Sequence, residues 1–481
     1  MSASSRLPVR AVLGIALAGY LLIALAYPLI DPDEGRNAEV VREMVAGGDL
    51  VTPHLAGMPY LDKPPGLFWA AAIPVRLMGP IPLAARLPAI VAALLTLVLI
   101  ARLARREADA SFAWRVAALT ATAPLFAAIA AYVIFDMPLA LCVTAIWTAL
   151  ARELIHGADP RRRAWMFAAL AAGLLIKGPV MLAWAVGGSL AVAALDRSRA
   201  PLRWLAWLPG WAIPVVLAGG WFALATARFP EYPRYAFLEE SVERMTSGAF
   251  HRDQPWWFVP AVLAGGALPW SLATPWWRAG AAPRSEPRRV VARVALGFVL
   301  FAAVFFTLSR SKLVTYLVPA IPPLAWLAAE AWSDSRRSRA ARSPWSAAPR
   351  ALVLAASPVV TIVALVIAAP IARSSSGAPL ARAIAASGGG PVTYEGCYSP
   401  GTDFLLGRGS TLVSDRGEET TSNYQLRYRD ALIRRGLWTP LGAGSGVERS
   451  GVLVRRSKAP PPPGWDEMFR DERFIAWRRA R

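Results

Sequence analysis

The first polar segment of the chain carries the residues best suited to acid–base chemistry. Residues 31–36 contain three acids and an arginine, and they follow directly after an apolar run. Spacing alone allows a structural explanation, in which Asp31 caps a helix, Pro32 is its first residue and Glu34 completes a capping box. The functional alternative is a site formed by acids beside Arg36 at a membrane boundary, because carboxylates near lipid are costly and tend to mark function.

A second candidate carboxylate, Asp136, lies between two long apolar runs. It could be structural, as the N-cap of the helix that follows. If it faces the same side of a membrane as Asp33, the two carboxylates could handle a hydroxyl nucleophile or bind a divalent metal. His251, in a later polar loop, could join such a metal site, although a single histidine is more often structural.

Lysines are rare in this chain and lie at distinctive places. Only four of the 52 basic residues are lysines, and Lys63, Lys177 and Lys312 all lie in turns near the ends of apolar runs. The structural explanations are a surface ion pair of Lys63 with Asp62 and snorkelling of the other two. Because a lysine ammonium is a compact phosphate binder, the three also predict a phosphate site.

The composition indicates a membrane protein. The chain has 481 residues, of which 55% are apolar and 17% charged, whereas a soluble protein averages roughly 25% charged residues. A net charge of +20 on so apolar a chain favours basic cytoplasmic loops over nucleic-acid binding. With two cysteines, Cys142 in an apolar run and Cys397 in a polar tail, a disulfide framework is excluded.

Eleven apolar runs are predicted to span the membrane, because a span needs about 20 such residues. They lie near residues 11–30, 82–101, 113–134, 137–155, 164–176, 178–195, 204–227, 256–276, 290–308, 313–331 and 351–371. The first run lacks a small-residue cleavage site and is predicted to be retained. The shorter run 66–79 is predicted to be a juxtamembrane or half-inserted helix.

The distribution of charge predicts the orientation. With the N-terminus in the cytoplasm, arginine clusters fall in the cytoplasmic connections and the acidic loops 30–65 and 228–255 fall outside, as the positive-inside rule requires. Residues 1–371 are then the membrane domain. Residues 372–481 open with serine- and glycine-rich linkers and show short strand and helix patterns, which predict a small α/β domain outside the membrane.

Several motifs, taken in order, resemble the membrane glycosyltransferases of the aminoarabinose-transferase and protein-mannosyltransferase group. They are Asp33-Glu34-Gly35-Arg36, Tyr60-Leu61-Asp62-Lys63-Pro64-Pro65, Phe135-Asp136-Met137-Pro138, Lys177-Gly178-Pro179, His251-Arg252 with Pro255-Trp256-Trp257, and Ser309, Ser311, Lys312, Tyr316 and Pro319. The resemblance covers about residues 10–330. Asn37 departs from the tyrosine frequent in aminoarabinose transferases, and Asp62 from the glutamate.

The resemblance implies a GT-C fold: an all-α polytopic membrane protein with about 11–13 transmembrane helices, followed here by the small soluble α/β domain. It implies inverting transfer of a sugar from a polyprenyl-phosphate donor to an envelope acceptor on the outer face of the bacterial inner membrane. A lipid A-like glycolipid is the favoured acceptor, and protein hydroxyls are the near alternative. The expected partners are these substrates and membrane lipids, without nucleic acid.

The resemblance also implies roles for individual residues. Asp33 and Asp136 would be catalytic carboxylates, and the cations would hold the lipid phosphate. The candidate substrate-binding residues are Glu34, Arg36, Tyr60, Asp62, Lys63, Lys177, His251 and Lys312. A divalent metal at Asp33, Asp136 and His251 stays open, and no other cofactor is expected.

A transporter is the alternative from another class, since charges in membrane segments also mark transport paths. Transporters usually show inverted repeats and charges near mid-membrane. In this sequence the polar residues collect at one face and no repeat is detected, which favours the transferase.

Overall fold

A computed structural model describes residues 9–243, 253–271, 285–335, 372–414, 416–438 and 451–479, with six further positions between 359 and 370. The described part is mainly helical. Its helices are α1 Val9–Ala26, α2 Asp33–Gly47, α3 Gly66–Met78, α4 Pro82–Glu107, α5 Ala110–Ala121, α6 Pro124–Ile129, α7 Asp136–His156, α8 Pro160–Lys177, α9 Val180–Asp196, α10 Leu208–Arg228, α11 Phe258–Gly266, α12 Glu286–Leu308, α13 Ile321–Ser335, α14 Ala378–Ala386, α15 Pro400–Leu406, α16 Asn423–Arg427 and α17 Arg429–Arg434.

Six helical segments within the described residues are long and apolar enough to cross a membrane. They are Val9–Ala26, Pro82–Glu107, Asp136–His156, Leu208–Arg228, Glu286–Leu308 and Val314–Ala331, each overlapping a predicted span. The predicted short helix at 66–79 is present as α3. The predicted span at 351–371 lies almost wholly outside the described residues, so the count of eleven spans stays a prediction.

One predicted span is interrupted in the structure. The run 113–134 was expected to be a single helix, but α5 ends at Ala121 and α6 occupies only Pro124–Ile129. The cause is local, since the residue before a proline is pushed into extended backbone, and Ala123 has φ −62° and ψ 123°. The predicted break at Lys177-Gly178-Pro179 is confirmed: α8 ends at Lys177, and Gly178 takes a positive φ of 75°.

The chain forms two compact units. The first unit contains residues 1–23 and 89–365, and its described part is helical. Helices α7 and α8 form an antiparallel hairpin with an ion pair near each end, Asp136 with Lys177 at one end and Glu153 with Arg163 at the other.

The core of this helical unit is aromatic. The indole of Trp326 packs edge-on against Phe112 and Trp147, with ring centroids 4.9 and 6.3 Å apart. All three side chains are fully buried. These contacts join α13 to α5 and α7, and they hold α7, whose first residue is Asp136, in place.

The second unit contains residues 24–88 and 366–481, so the first polar loop belongs with the tail. Its strands are β1 His54–Leu55, β2 Met58–Pro59, β3 Val392–Glu395, β4 Thr411–Val413, β5 Val452–Arg456, β6 Trp465–Arg470 and β7 Phe474–Arg479. β1 and β2 form a small antiparallel hairpin. The other five make one sheet in the order β4-β3-β5-β7-β6, parallel at β4-β3-β5 and antiparallel beyond.

The predicted α/β character of the tail is confirmed, with two elements missed. Strand β6 has mostly exposed or half-buried side chains, so it lacks the apolar alternation that signals a strand. Helix α15 begins with Pro400 and Gly401, residues that usually signal a turn. The division of the chain at residue 371 stays a prediction.

The first-loop helix α2 packs closely on α15 of the tail. A methyl group on Gly35 would lie 1.7 Å from Asp31 Oδ1 and 2.7 Å from the backbone nitrogen of Gly401. Only glycine leaves room for this approach. The loop and the tail are therefore in direct contact next to the first acidic motif.

Candidate active site

The structural explanation of residues 31–34 as a capping box of α2 is wrong. The helix begins at Asp33, and Pro32 in the capping position makes no side-chain hydrogen bond. The carboxylate of Asp31 instead accepts hydrogen bonds from Ser399 Oγ at 2.8 Å and from the backbone N–H of Gly401 at 3.1 Å. Burial raises the pKa of Asp31 to about 6, because a desolvated carboxylate is costly.

Glu34 is part of a buried ion pair. Its two carboxylate oxygens accept hydrogen bonds from Arg86 Nε at 2.9 Å and Nη2 at 2.6 Å, and both side chains are almost fully buried. Arg86 also donates to the carbonyls of Ala24, Tyr27 and Pro28. Glu34 is therefore engaged by Arg86 in this structure, and the substrate contact predicted for it stays a prediction.

Asp33 and Arg36 form the accessible part of this cluster. Asp33 stands on the first turn of α2 with 54% of its side chain exposed, and its Oδ1 accepts a hydrogen bond from Arg36 Nη2 at 2.7 Å. The guanidinium carbon of Arg36 lies 6.0 Å from the centroid of the buried Tyr60 ring. The structure thus brings together three predicted site residues and leaves one carboxylate open to solvent.

The remaining first-loop candidates lie beside this cluster in different roles. Asp62 is buried, and its oxygens accept the backbone N–H groups of Asn423 at 3.1 Å and Tyr424 at 2.7 Å. It therefore anchors the tail, and its predicted contact with substrate has no support in the structure. Lys63, the next residue, is half-buried.

The second cluster lies in the helical unit. Asp136 is the first residue of α7, and the adjacent capping position makes no side-chain hydrogen bond, so the N-cap explanation is wrong. Its Oδ1 instead lies 2.5 Å from Lys177 Nζ, with 2% of the Asp136 side chain and 12% of the Lys177 side chain exposed. The ammonium also lies 4.4 Å from the centroid of the Tyr316 ring, a cation–π distance.

Lys312 lies just before the helical turn that carries Tyr316. Only 8% of Lys312 is exposed, and no hydrogen bond or ion pair joins it to a residue that the structure describes. Its neighbour Ser311 forms a backbone bridge with Asp253, which ties this turn to the second predicted outer loop. His251 lies outside the described residues.

The metal hypothesis needs three ligands, and one of them, His251, lies outside the described residues. Within the described ranges, no three histidine, cysteine or acidic side chains gather closely enough to hold an ion. The hypothesis involving Asp33, Asp136 and His251 therefore stays a prediction.

The two clusters combine the same groups in opposite surroundings. Each pairs a carboxylate with a cation and a tyrosine ring, but Asp33 is half exposed and Asp136 is buried. An exposed carboxylate can accept a proton from a bound hydroxyl. Buried cations can stabilise negative charge that develops on a leaving phosphate. Taken by itself, the first cluster therefore offers a carboxylate to a hydroxyl, and the second offers a cation to an anionic oxygen.

Comparison with known proteins agrees with this fold. The sequence profile of the dolichyl-phosphate-mannose-protein mannosyltransferases matches residues 62–219. Among solved structures, ArnT from Cupriavidus metallidurans bound to undecaprenyl phosphate superposes with a TM-score of 0.78 at 24% identity, covering 98% of this chain and 97% of that one. An oligosaccharyltransferase of Archaeoglobus fulgidus gives a TM-score of 0.53 at 12% identity over 94% of this chain and 70% of its own.

Curated relatives are similar over part of their length. The undecaprenyl phosphate-alpha-4-amino-4-deoxy-L-arabinose arabinosyl transferase of Pseudomonas aeruginosa strain PAO1 is 32% identical over 339 residues, which is 67% of this chain and 59% of the relative. A second such transferase, from Pseudomonas fluorescens strain Pf0-1, is 29% identical over 356 residues, or 71% and 62%. The chain thus spans about six tenths of the curated relatives that it matches.

The described part of the chain has a multi-pass membrane fold similar to that of ArnT. The resemblance seen in the motifs, to the membrane glycosyltransferases of the aminoarabinose-transferase and protein-mannosyltransferase group, is confirmed.

Proposed function

We propose that this protein transfers a sugar from a polyprenyl-phosphate donor to an envelope acceptor, with inversion at the sugar carbon. The observation that carries the proposal is the half-exposed Asp33 carboxylate, fixed by Arg36 at the end of an apolar span. A carboxylate in this place can accept the proton of an acceptor hydroxyl, or orient an acceptor that is already an anionic phosphate. The names of the relatives, which specify undecaprenyl phosphate as the sugar carrier, support the choice of donor.

The reaction forms one bond and breaks one bond at the sugar. The acceptor oxygen attacks the anomeric carbon while the bond from that carbon to the phosphate oxygen breaks, and polyprenyl phosphate leaves with the electron pair. Cations stabilise the charge that it gains. Arg36, Lys63, Lys177 and Lys312 are the groups proposed for that role.

A lipid A-like glycolipid is the favoured acceptor, and aminoarabinose is the sugar that the names of the relatives suggest. The match to a protein-mannosyltransferase profile supports protein hydroxyls as the second candidate. We also propose that the protein lies in the bacterial inner membrane, with the first loop and the tail on the periplasmic side, because the arginine clusters collect in the opposite loops.

Mass spectrometry of envelope lipids and glycoproteins, from cells with and without the protein, tests the acceptor and the sugar together. The proposal expects one acceptor class to lose the mass of a single sugar when the protein is absent. A purified preparation supplied with donor and acceptor in detergent should form the same covalent product. A transporter would form none without a second enzyme, so product formation separates the two classes.

The role of Asp33 has a matched control. Asp33→Asn should lower transfer by at least roughly 100-fold while the protein still inserts and purifies normally. Asp430 is also an exposed acid in the first turn of a helix of the same unit, and Asp430→Asn should transfer sugar at the wild-type rate. Wild-type transfer by Asp33→Asn would remove the assignment.

A further inference from the structure

A short segment of the tail is fixed against the first loop. The side chain of Gln425 is fully buried, and its Nε2 donates to the carbonyls of Leu55, Met58 and Pro59 at 3.2, 3.4 and 3.2 Å. The buried Asp62 holds the two backbone N–H groups just before it. These hydrogen bonds hold residues 423–425 against the first loop, and they thereby fix the position of the tail residues just before Asn423.

Thr421 is two residues before this fixed segment, and it accepts hydrogen bonds from the guanidinium of Arg36. Arg36 Nη1 donates to Thr421 Oγ1 at 2.5 Å and to the Thr421 carbonyl at 3.3 Å, while Nη2 donates to Asp33. Because a guanidinium is planar and rigid, fixing one nitrogen fixes the direction of the other. The tail therefore sets the direction from which Arg36 approaches the exposed carboxylate.

The backbone of Thr421 suggests that its side chain is needed there. Its φ is +56°, a left-handed conformation that is uncommon for residues other than glycine and a genuine outlier for a β-branched one. Such strain persists where the surroundings enforce it, and it often accompanies a functional constraint. Glycine would adopt this conformation without strain but would lack the hydroxyl that Arg36 contacts.

One hydrogen-bond donor of Arg36 has no acceptor among the described residues. Its Nε is buried and has no hydrogen-bond partner within the described part of the chain. A buried donor without an acceptor is costly, and an anionic oxygen would satisfy it. The orientation that Thr421 imposes therefore places one nitrogen of Arg36 on Asp33 and leaves its buried Nε without an acceptor among the described residues.

We infer that Thr421 is a positioning residue of the active site: through its hydroxyl and carbonyl the tail holds Arg36 in the orientation that serves Asp33 and the substrate anion. This inference rests on the proposed function and extends it, because it assigns to the tail a direct part in the site. In this proposal Thr421 acts through Arg36 and not by contact with the substrate.

Three substitutions separate the hydroxyl from the shape and the strain. Thr421→Val keeps the shape and removes the hydroxyl, Thr421→Ser keeps the hydroxyl, and Thr421→Gly removes both hydroxyl and strain. We expect Val and Gly to lower kcat for sugar transfer by roughly 10-fold or more, the worth of one hydrogen bond to a charged group, with donor KM changed less. Thr421→Ser should keep kcat within about threefold of the wild-type value.

Thr411→Val is the matched control, since Thr411 is exposed on β4 of the same tail, and it should leave kcat unchanged. Wild-type kcat in Thr421→Val, or equal losses in Val and Ser, would overturn the inference while leaving the proposed function intact. A purely structural role would lower stability in all three variants without this order in kcat.

A second measurement reads the contact without any sugar transfer. In a double-mutant cycle of thermal unfolding, Thr421→Val and Arg36→Met should be non-additive because the two residues are in contact. Non-additive Tm shifts together with no transfer by wild-type protein would refute the proposed function and keep the contact. Additive shifts would refute the positioning role.

Discussion

The buried pair of Asp136 and Lys177 allows a quantitative test of the helical unit. Their nitrogen and oxygen are 2.5 Å apart, and 2% and 12% of the two side chains are exposed. Removing one partner of such a pair leaves an uncompensated buried charge, which costs about 3–5 kcal/mol, whereas replacing both with neutral groups is often close to neutral. Lys177→Met should therefore destabilise the unit more than the double variant Asp136→Asn with Lys177→Met does.

The size of the shift follows from the size of the unit. Unfolding entropy of about 2.1 cal/mol/K per residue, over a unit of about 300 residues, converts a loss of about 3–5 kcal/mol into a fall in Tm of about 5–8 °C. We expect Lys177→Met to show that fall in thermal unfolding of the purified protein in detergent. The double variant should recover most of it.

The other end of the same hairpin supplies the control. Glu153 and Arg163 also join α7 to α8, at 2.7 Å, with 6% and 16% of their side chains exposed. Arg163→Met should lower Tm in the same way but leave sugar transfer unchanged, while Lys177→Met should reduce both. An unchanged Tm in Lys177→Met, or a double variant as unstable as the sum of its single variants, would refute the reasoning.

Three further predictions concern the first loop and its contacts. Burial raises the pKa of Asp31 from 3.8 to about 6, so its contribution to stability is complete below pH 3.8 and is lost as pH rises through about 6. The free energy of unfolding, and with it Tm, should therefore fall as pH rises from about 4 to about 6, by up to about 3 kcal/mol in all. Asp31→Asn should flatten that slope. Gly35→Ala should lower Tm by several degrees because its methyl would overlap Asp31, whereas Gly14→Ala, with open space around it, should change Tm little; equal shifts would contradict the packing argument. Lys63→Ala should weaken binding of undecaprenyl phosphate, measured with the purified protein, by roughly tenfold, and Arg105→Ala should not; equal affinities would remove Lys63 from the phosphate site.

The sequence predicts the features of this protein that depend on local physics. The break after Lys177 follows from a glycine and a proline in succession, and the structure has it there. The aspartates at the ends of apolar runs also mark two clusters of charged residues, because an acid near lipid is costly and is usually paired or functional. Composition and motif order were sufficient for the class of fold.

The partners of the acids could not be predicted, because they come from distant parts of the chain. Asp31 fits a helix cap by spacing, yet it bonds to Ser399, 368 residues away. Asp62 pairs with backbone groups more than 360 residues away in the same manner. One partner did have a signal in the sequence. Arg86 is a single arginine near the start of the apolar run 82–101, and a charge in such a run indicates a buried acidic partner, which is Glu34.

The second unit is built from two stretches of chain that leave the ribosome at very different times. About 280 residues separate position 88 from position 366, and at roughly 5–20 residues per second their synthesis takes about 14–56 s. Throughout that interval the carboxylates of Asp31 and Asp62 and the guanidinium of Arg36 lack the tail groups that satisfy them. The loop that carries the candidate catalytic aspartate therefore reaches its final contacts only after the tail segment that holds Ser399, Thr421 and Tyr424 has been made. A chain that stops before this segment would leave these charged groups without the partners that they have in the folded protein.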